Sequence, residues 1–290
     1  MGYMDASFWI LQILNGLTLG SLLFLVASGF TLIFGLMRIA NLAHGALYLL
    51  GGYLALSVVR AGQSYWLGVV VAVVSIAILG VTIERLFLRR LRGQNLAEVL
   101  ITVGIGFIIA DFCLMIWGGD PLTIPIPALI SGTVELFGVS YPRFRLVTLG
   151  VGVVLAVGLW FLQYRTRVGA IVRAGVDDGE MVSALGINLP VVLTGVFMLG
   201  SGLAGLAGAI GGNFLSLYRG GDREILLFGL VVVIIGGMGS LEGAVIGSLL
   251  VGLTDAFGKA LVPDFAYFTL FGPMVIMLAV RPWGIFGRKD

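Results

Sequence analysis

The chain has 290 residues, of which 59% are hydrophobic and 11% are charged, and its mean hydropathy is +1.10. A soluble domain carries about 25% charged residues, so this composition excludes a globular protein surrounded by water. The net charge is +2, and the single cysteine, Cys113, and single histidine, His44, exclude an internal disulfide and metal sites built from those residue types.

Apolar runs predict an all-α polytopic membrane protein, a single transmembrane domain over residues 1–290 formed by a bundle of eight or nine helices. The first run is too long for a signal peptide core and is interpreted as a retained span. The turn at 236–240 separates two short runs, which form either two tilted spans or two half-helices that meet inside the membrane. The runs lie at 8–36, 42–59, 66–84, 97–117, 145–163, 191–212, 225–238, 241–260 and 264–280.

Glycine pairs four residues apart recur in three of these runs. This spacing lets two helix backbones approach closely and predicts a packing role. The pairs are Gly16 and Gly20, Gly208 and Gly212, and Gly243 and Gly247.

Polar residues inside the apolar runs are candidates for a translocation pathway, because polar groups at membrane depth usually face a cavity or a partner helix. Arg38, Asn41 and His44 share one face if they are helical, but an ordinary cytoplasmic turn explains them equally well. Asp111 is the stronger intramembrane candidate, although it lies within two turns of a predicted helix end. The residues assigned to the pathway are Asn41, His44, Asp111, Asn213 and Ser240.

A weak internal repeat relates the segments SGFTLIFG (28–35) and SGLAGLAG (201–208). Asn41 and Asn213 follow these segments at nearly the same offset. Repeated halves are common in transporters, but glycine-rich apolar segments also match by chance, so both explanations remain open.

Arginine clusters predict the orientation in the membrane. The clusters within 85–92, 165–173 and 288–289 are separated by even numbers of predicted spans, so one topology places all three in the cytoplasm. It places the loops 118–143 and 213–223 outside and the C-terminus in the cytoplasm, and with nine spans it also places the N-terminus outside. The external arginines that count against it are Arg143, Arg145, Arg219 and Arg223.

Residues 164–190 form the most hydrophilic interruption of the chain and are predicted to be a cytoplasmic loop. A first short helix is expected over 166–175, ending at Gly175. A second begins at Asp177, which forms a capping box with Glu180, and ends before Gly186 and Pro190.

The second helix is predicted to present a small apolar face made by Met181, Ala184 and Leu185, and a helix this short needs a docking partner. That partner is the membrane surface or a groove in another protein. Surface helices carry basic polar faces, whereas the charges here are acidic, which favours the protein groove.

Nucleotide and catalytic motifs are absent from the sequence. The segment GSGLAG at 200–205 lies within an apolar run with no strand before it, so it is rejected as a dinucleotide site, and no phosphate loop occurs. If ATP drives this protein, another chain binds it. An intramembrane enzyme is the weakest reading, because His44 has no accompanying nucleophile motif.

Three segments carry a resemblance to a known family: NGLTLGSLLFLVASGFTLIFGLMRIANLAHGALYLLGGY, RTRVGAIVRAGVDDGEMVSALGIN and GGMGSLEGAVIGSLLVG. The chain resembles, essentially end to end, the permease subunits of ATP-binding-cassette (ABC) importers for branched-chain amino acids. The middle segment is similar to the cytoplasmic loop through which such permeases contact their ATPases, with Met181 and Val182 where the family has alanines. The residues assigned to this coupling are Arg173, Asp177, Glu180, Met181, Ala184, Leu185, Gly186 and Asn188.

The resemblance implies a permease without enzymatic activity in the bacterial inner membrane. Its implied partners are a second homologous permease forming a heterodimer, two ATP-binding subunits that hold the ATP and Mg²⁺, and a periplasmic solute-binding protein; the chain itself needs no cofactor, and nucleic acid is not an expected partner. Relatives also carry urea, amides and aromatic acids, and Asp111 stands where an uncharged polar residue is expected. A secondary transporter or channel working without an ATPase is the alternative from another class, with Asp111, Glu98 or Asp255 as its intramembrane charge.

Overall fold

The computed structural model describes residues 6–287, apart from the side chains of Val176, Asp177 and Glu180. This part of the chain is mostly helical, with one short β-hairpin, which confirms the predicted all-α membrane fold; the terminal charges Arg288 and Lys289 lie outside it. The helices are α1 (Ala6–Met37), α2 (His44–Arg60), α3 (Tyr65–Ile83), α4 (Arg89–Leu91), α5 (Asn95–Trp117), α6 (Arg143–Arg165), α7 (Arg167–Asp177), α8 (Gly179–Ala184), α9 (Leu189–Phe214), α10 (Gly221–Gly236), α11 (Leu241–Leu261) and α12 (Ala266–Val280).

Seven helical segments within residues 6–287 are long and apolar enough to cross a membrane. The π-helical turn Glu84–Leu88 extends α3 into α4, so that Tyr65–Leu91 forms one of them. The others are α1, α5, α6, α9, α11 and the segment Pro263–Val280.

Helix α1 is the central element of the bundle, and 83% of its most apolar stretch is buried inside the protein. It packs against α6, α9, α10 and α11. Small residues allow this enclosure: Gly16 and Gly20 contact the backbone of α11, and Gly29 contacts the backbone of α9 at Gly200. A helix surrounded by protein on all sides has no polar face, which agrees with its uniformly apolar sequence.

Helix α2 is a half-helix that begins inside the bundle. After α1 ends, residues 38–43 turn back, and His44 begins α2 with its Nε2 3.0 Å from the carbonyl oxygen of Val26. Val26 precedes the end of α1 at Met37 by eleven residues, or about 16 Å along the helix. The 17-residue α2 therefore starts near the middle of α1.

Helix α10 is a second half-helix of 16 residues, and it runs in the opposite direction. The connector 215–220 turns back from the end of α9, and α10 then starts beside Gly45, which contacts the carbonyl group of Asp222. Farther along α10, Gly229 lies against Val26. The N-termini of α2 and α10 therefore meet inside the bundle, and the two helices leave toward opposite ends.

The two half-helices give the weak sequence repeat a structural counterpart. In each case a long helix, α1 or α9, is followed by a connector that turns back and by a half-helix. The antiparallel contact between Gly29 and Gly200 makes the two units inverted with respect to each other. An inverted repeat of this kind is typical of transporters that bind their substrate near the bilayer midplane.

The predicted location of the half-helices needs a correction. The sequence placed the ambiguity in the pair 225–238 and 241–260, but α11 is a full span of 21 residues that packs antiparallel to α1, with Gly252 against Gly16 and Gly20. The half-helix that pairs with α10 is α2 and not α11. Residues 38–43 cover part of the distance back across the bundle, so α2 is shorter than a full span. Helix length alone did not reveal that connector.

The bundle has two distinct ends. At one, the hairpin end, the loop between α5 and α6 contains the antiparallel strands β1 (Thr133–Leu136) and β2 (Val139–Pro142). Their turn residues Phe137 and Gly138 both have positive φ, as a tight two-residue hairpin turn requires. The opposite end, called the α8 end, contains α7, α8, the 236–240 turn and the segment 281–287, whose Ile285 N–H donates to the Ile235 carbonyl.

Candidate translocation pathway and coupling surface

A cavity of about 500 Å³ lies in the half of the bundle nearer the hairpin end. It is bounded by the first third of α1, the start of α6, the end of α9 with its connector, the N-terminus of α10 and the last third of α11. Its inner wall reaches Tyr48 and Leu49 of α2, close to the point where the two half-helices meet. This volume is within the usual range for small-molecule sites.

Two cationic and two anionic side chains line the cavity. Arg145 Nη1 donates to Asn15 Oδ1 at 2.5 Å, and its guanidinium carbon lies 4.8 Å from the centre of the Phe214 ring. Lys259 Nζ lies 2.8 Å from Asp255 Oδ2, and that carboxylate is buried. These partners hold the charged groups in fixed positions around the space.

The second carboxylate belongs to Glu224 in the first turn of α10, where the helix dipole favours negative charge. Its Oε2 accepts a hydrogen bond from the Tyr218 hydroxyl. The apolar part of the wall is formed by Leu19, Leu49, Phe214, Leu215, Ile225 and Phe228. A small zwitterion with an aliphatic side chain finds counter-charges for both ends and an apolar surface in this cavity.

Beyond the cavity, toward the α8 end, helices pack backbone to backbone. Gly35 lies against Gly239, and Gly236 against Gly243. Such contacts leave no room for a solute between the helices concerned. The bundle therefore encloses a cavity in the half nearer the hairpin end and is closely packed near the α8 end.

Asn41 and His44, two of the predicted pathway residues, lie together where α2 begins, and both are buried. Asn41 Oδ1 accepts from the Ala43 N–H at 3.2 Å. Asn41 Nδ2 and His44 Nδ1 have no hydrogen-bond partner among the described residues. Buried polar atoms without partners are costly, so these two are suited to meet water or solute when the pathway opens here.

The other predicted pathway residues lie apart from this pair. Asn213 Nδ2 donates to the Ile124 carbonyl at 2.6 Å near the hairpin end, and Ser240 caps α11 at the α8 end by accepting from the Gly243 N–H. Asp111 is exposed on the outer surface of α5. None of the five predicted residues lines the cavity.

Sequence reasoning missed the cavity because its four charged residues come from three helices, α6, α10 and α11, and α6 lies far from the other two in the chain. Arg145 entered the prediction as a charge that opposes the expected topology, and Asp255 as a weak alternative. The i, i+4 spacing of Asp255 and Lys259 was a usable signal, since such a pair inside an apolar run indicates a compensated charge.

The hydrophilic loop has the predicted apolar face, and that face is uncovered. Met181, Ala184 and Leu185 are all exposed, with 59% of Met181 and 72% of Leu185 accessible, while Val182 on the other side of α8 is buried. Gly186 has a φ of +80° and ends the helix as predicted. An exposed apolar face on a six-residue helix indicates a docking surface.

The start of this helix differs from the prediction by one residue. The N-cap is Asp178, whose Oδ1 accepts from the Met181 N–H at 2.9 Å, so the predicted box from Asp177 to Glu180 does not begin the helix. Two acidic residues in succession made the choice ambiguous in the sequence. The side chains of Asp177 and Glu180 lie outside the described part of the structure.

The flanking coupling residues have structural neighbours of their own. The Arg173 guanidinium carbon lies 5.0 Å from the centre of the Tyr164 ring, and Asn188 caps α9 by accepting from the Val191 N–H. The preceding helix α7 continues to Asp177, two residues beyond the predicted end at Gly175. Gly175 packs against Leu36, which joins the loop to α1.

A hydrogen bond to a buried carboxylate connects the second turn of α9 to the π-helical turn that extends α3. Glu84 is fully buried, accepts from the Thr194 hydroxyl at 2.7 Å and pairs with Arg92 at 3.2 Å. Thr194 lies a little over one turn into α9, directly after α8 and its connector. The segment that follows α8 is therefore connected to both α9 and the end of α3.

The six glycines assigned to packing all lie at close helix contacts. Gly16 and Gly20 face α11, Gly208 contacts the backbone of α2, and Gly212 contacts Ile124 and Leu217. Gly243 and Gly247 face α10. In each case an added methyl group would meet neighbouring atoms at less than ordinary contact distance.

Comparisons with known proteins show that the chain is similar over most of its length to transport permeases. The family described as branched-chain amino acid transport system permease component matches residues 12–279. The chain is 28% identical to the high-affinity branched-chain amino acid transport system permease protein BraD of Pseudomonas aeruginosa, covering 97% of both chains, and 29% identical to LivH of Escherichia coli K12, covering 98% of this chain and 97% of LivH.

A more distant similarity covers part of the chain. The fructose import permease protein FrcC of Rhizobium meliloti is 29% identical over 143 residues, which is 46% of this chain and 39% of FrcC. No solved structure matches the chain.

Proposed function

This chain belongs to the family of permease components of branched-chain amino acid transport systems, and from that premise we propose that it is a permease subunit of an ABC importer that carries branched-chain amino acids. The relatives named above are transport permeases rather than enzymes, and the family does not favour the urea, amide, aromatic-acid or ATPase-independent alternatives.

The observation that carries the proposal is the uncovered apolar face of α8 at the end of the bundle opposite the cavity. We assign this face to a groove of an ATP-binding subunit, which supplies the ATP and Mg²⁺. Two such subunits, a second homologous permease forming a heterodimer and a periplasmic solute-binding protein complete the importer.

The cavity serves as the external part of the route for the amino acid. The α-carboxylate is attracted by Arg145 and Lys259, and the α-ammonium by Asp255 and Glu224, while the aliphatic side chain lies against the apolar wall. Each charged group already has a protein partner, so the solute exchanges one compensated arrangement for another.

Transport proceeds by alternating access. ATP binding brings the two ATPases together and moves the α8 helices docked in them. Because α7 contacts α1 through Leu36, and α9 is tied to α3 through Glu84 and Thr194, the movement reaches the central helices. When the bundle opens at the α8 end, water or solute supplies the hydrogen-bond partners that Asn41 Nδ2 and His44 Nδ1 lack in the closed bundle.

The orientation follows from the same assignment. The α8 end faces the cytoplasm with the C-terminus, and the hairpin end faces the periplasm, where the solute-binding protein delivers its cargo. This multi-pass protein then resides in the bacterial inner membrane, with the arginine-rich turns on the cytoplasmic side.

Leu185→Arg tests the docking role of α8. Arginine at this exposed position is compatible with the fold but places a charge in the apolar contact, so we expect the ATPase subunits to be lost from complexes purified in mild detergent and amino acid uptake to stop. The matched control is Leu129→Arg, because Leu129 is 81% exposed in the loop at the hairpin end. Full retention of the ATPase subunits by Leu185→Arg would contradict the proposal.

A further inference from the structure

Arg223 is an exposed charge beside the middle of α5, a helix long and apolar enough to cross a membrane, and a charge at that depth is costly in lipid. It belongs to the first turn of the half-helix α10, and its guanidinium carbon lies 5.3 Å from the centre of the Phe107 ring. Phe107 is twelve residues from the start of α5 and ten from its end, about 18 and 15 Å along the helix. A hydrocarbon layer about 30 Å thick and centred on α5 therefore has Arg223 near its middle.

Arg223 forms no ion pair with any residue in the described part of the chain. Its sequence neighbours are engaged elsewhere: Glu224 accepts from the Tyr218 hydroxyl, and Asp222 is buried against Gly45. A cation in the first turn of a helix is also opposed by the helix dipole. The aromatic contact with Phe107 compensates a part of this cost, and a carboxylate of a neighbouring chain would compensate the rest.

The surface around Arg223 has three further features of a protein contact. Asp111 lies one turn beyond Phe107 on the same side of α5, six residues before the end of that helix, and is also exposed. Gly104, one turn before Phe107, has open space where a side chain would stand, so a neighbouring helix can approach α5 closely there. On α10, Leu227 is exposed next to Arg223.

Only the first half of α10 is uncovered in this way. Its last turns are covered, because Ile285 and Phe286 of the C-terminal segment donate hydrogen bonds to the carbonyl groups of Ile235 and Gly236. The exposed charges are therefore confined to a patch shared by α5 and the start of α10. Glu224, the next residue, lines the cavity, so this patch adjoins the proposed route of the solute.

We infer that the α5–α10 face, formed by Gly104, Phe107, Asp111, Arg223 and Leu227, is the surface on which the second, homologous permease subunit docks, with a carboxylate of that subunit against Arg223. The inference rests on the proposed function, which supplies this partner. A face that carries both a cation and an anion suits a chain of the same fold related by approximate two-fold symmetry, because each charge then meets its opposite across the interface.

Site-specific photocrosslinking in the assembled importer tests the location of this interface. Leu227 is replaced by p-benzoylphenylalanine, and Val154 on α6, which is 70% exposed, receives the same replacement as a control. After irradiation of membranes, we expect an adduct with the second permease from position 227 at least tenfold above that from position 154, identified by mass spectrometry. Equal yields, or an adduct with a second copy of this chain, would overturn the inference.

Charge reversal provides an independent measurement. Arg223→Glu is expected to lower the amount of second permease that co-purifies with this chain at least fivefold, whereas Arg223→Lys keeps the charge and retains most of it. Arg219→Glu, at an exposed position in the connector before α10, is the matched control and leaves the amount unchanged. Unaltered co-purification after Arg223→Glu would contradict the assigned carboxylate contact.

The ATPase content of the same preparations separates this inference from the proposed function. If the wild-type chain retrieves ATPase subunits but position 227 gives no adduct with the second permease, the interface lies elsewhere and the importer assignment stands. If the wild-type chain retrieves no ATPase subunit, the importer assignment itself fails.

Discussion

Charged residues of the cavity are held by neighbours instead of extending freely into it. Arg145 is fixed by Asn15 and by the ring of Phe214, and Asp255 by Lys259. Preorganised groups lose little conformational freedom when a solute binds, so their interactions contribute more to affinity and orientation. The pairing also keeps charges compensated when the cavity is empty.

Arg145→Met tests the contribution of this cation. Methionine keeps the apolar bulk beside Phe214 but removes a charge-assisted hydrogen bond of the kind that contributes about 1.5–3 kcal/mol, so we expect leucine uptake at low concentration to fall about 10- to 100-fold. The control is Arg143→Met, because Arg143 is exposed at the start of the same helix and does not line the cavity. Uptake is measured with the complete importer in proteoliposomes.

Co-purification distinguishes a transport defect from an assembly defect in these variants. Both are expected to retain the ATPase subunits and the second permease. Equal uptake by Arg145→Met and Arg143→Met would remove Arg145 from the pathway.

For single residues, the sequence predicted features that arise within one short segment, but it did not predict which distant residues lie together in the structure. The exposed face of Met181, Ala184 and Leu185 follows from helical spacing alone, because all three residues lie within one short segment. The cavity joins Asn15 to Lys259 across most of the chain, and nothing in local periodicity indicates that those residues meet.

At the scale of the helices, glycine contacts determine how closely the bundle packs. Gly243 of α11 lies against the backbone of Gly236 of α10, so the two helices of this hairpin approach without side chains between them. By contrast, Gly150 of α6 has no neighbouring atom within 4 Å of an added methyl group. The same substitution thus has opposite consequences at these two positions.

Gly243→Ala is expected to lower the thermal unfolding temperature of the purified protein by several degrees. Forcing a methyl group into a close contact costs about 1–3 kcal/mol. Gly150→Ala fills open space and replaces a poor helix former with a good one, so its unfolding temperature is expected to stay level or rise. A scanning fluorescence measurement in detergent compares both variants, and equal shifts would refute a special role for the Gly243 contact.

The number and approximate bounds of the helices were predictable, because apolar runs and turn residues are local signals. Each of the nine predicted runs coincides with a helix to within about four residues at either end. The depth at which α2 and α10 begin was not predictable, because it is set by contacts such as the one between His44 and Val26. A connector that returns into the bundle resembles an ordinary turn in the sequence.

At the scale of the whole molecule, the loop between α5 and α6 lies at one end of the bundle and α8 at the other, so an exposed residue at each end can report the proposed orientation. Leu129 is exposed at the hairpin end and Leu185 at the α8 end. The native Cys113 is buried, so it is shielded from a bulky polar reagent.

Cysteine labelling checks the orientation. In spheroplasts that contain the importer, Leu129→Cys is expected to react with a membrane-impermeant maleimide, whereas Leu185→Cys reacts only after the membrane is permeabilised and the ATPase subunits are removed. The unsubstituted chain provides the background from Cys113. Labelling of Leu185→Cys in intact spheroplasts would invert the proposed topology.

The burial of α1 inside the bundle has a consequence for how the protein is synthesised and inserted into the membrane. This helix is synthesised before α6, α9, α10 and α11, which surround it in the finished bundle. It is apolar enough to pass from the translocon into lipid on its own. Its glycine faces have no protein partner until the later helices are inserted. A chain that ends before α9 would leave these glycine faces exposed to lipid. The packing around α1 can therefore form only when synthesis of the chain is nearly complete.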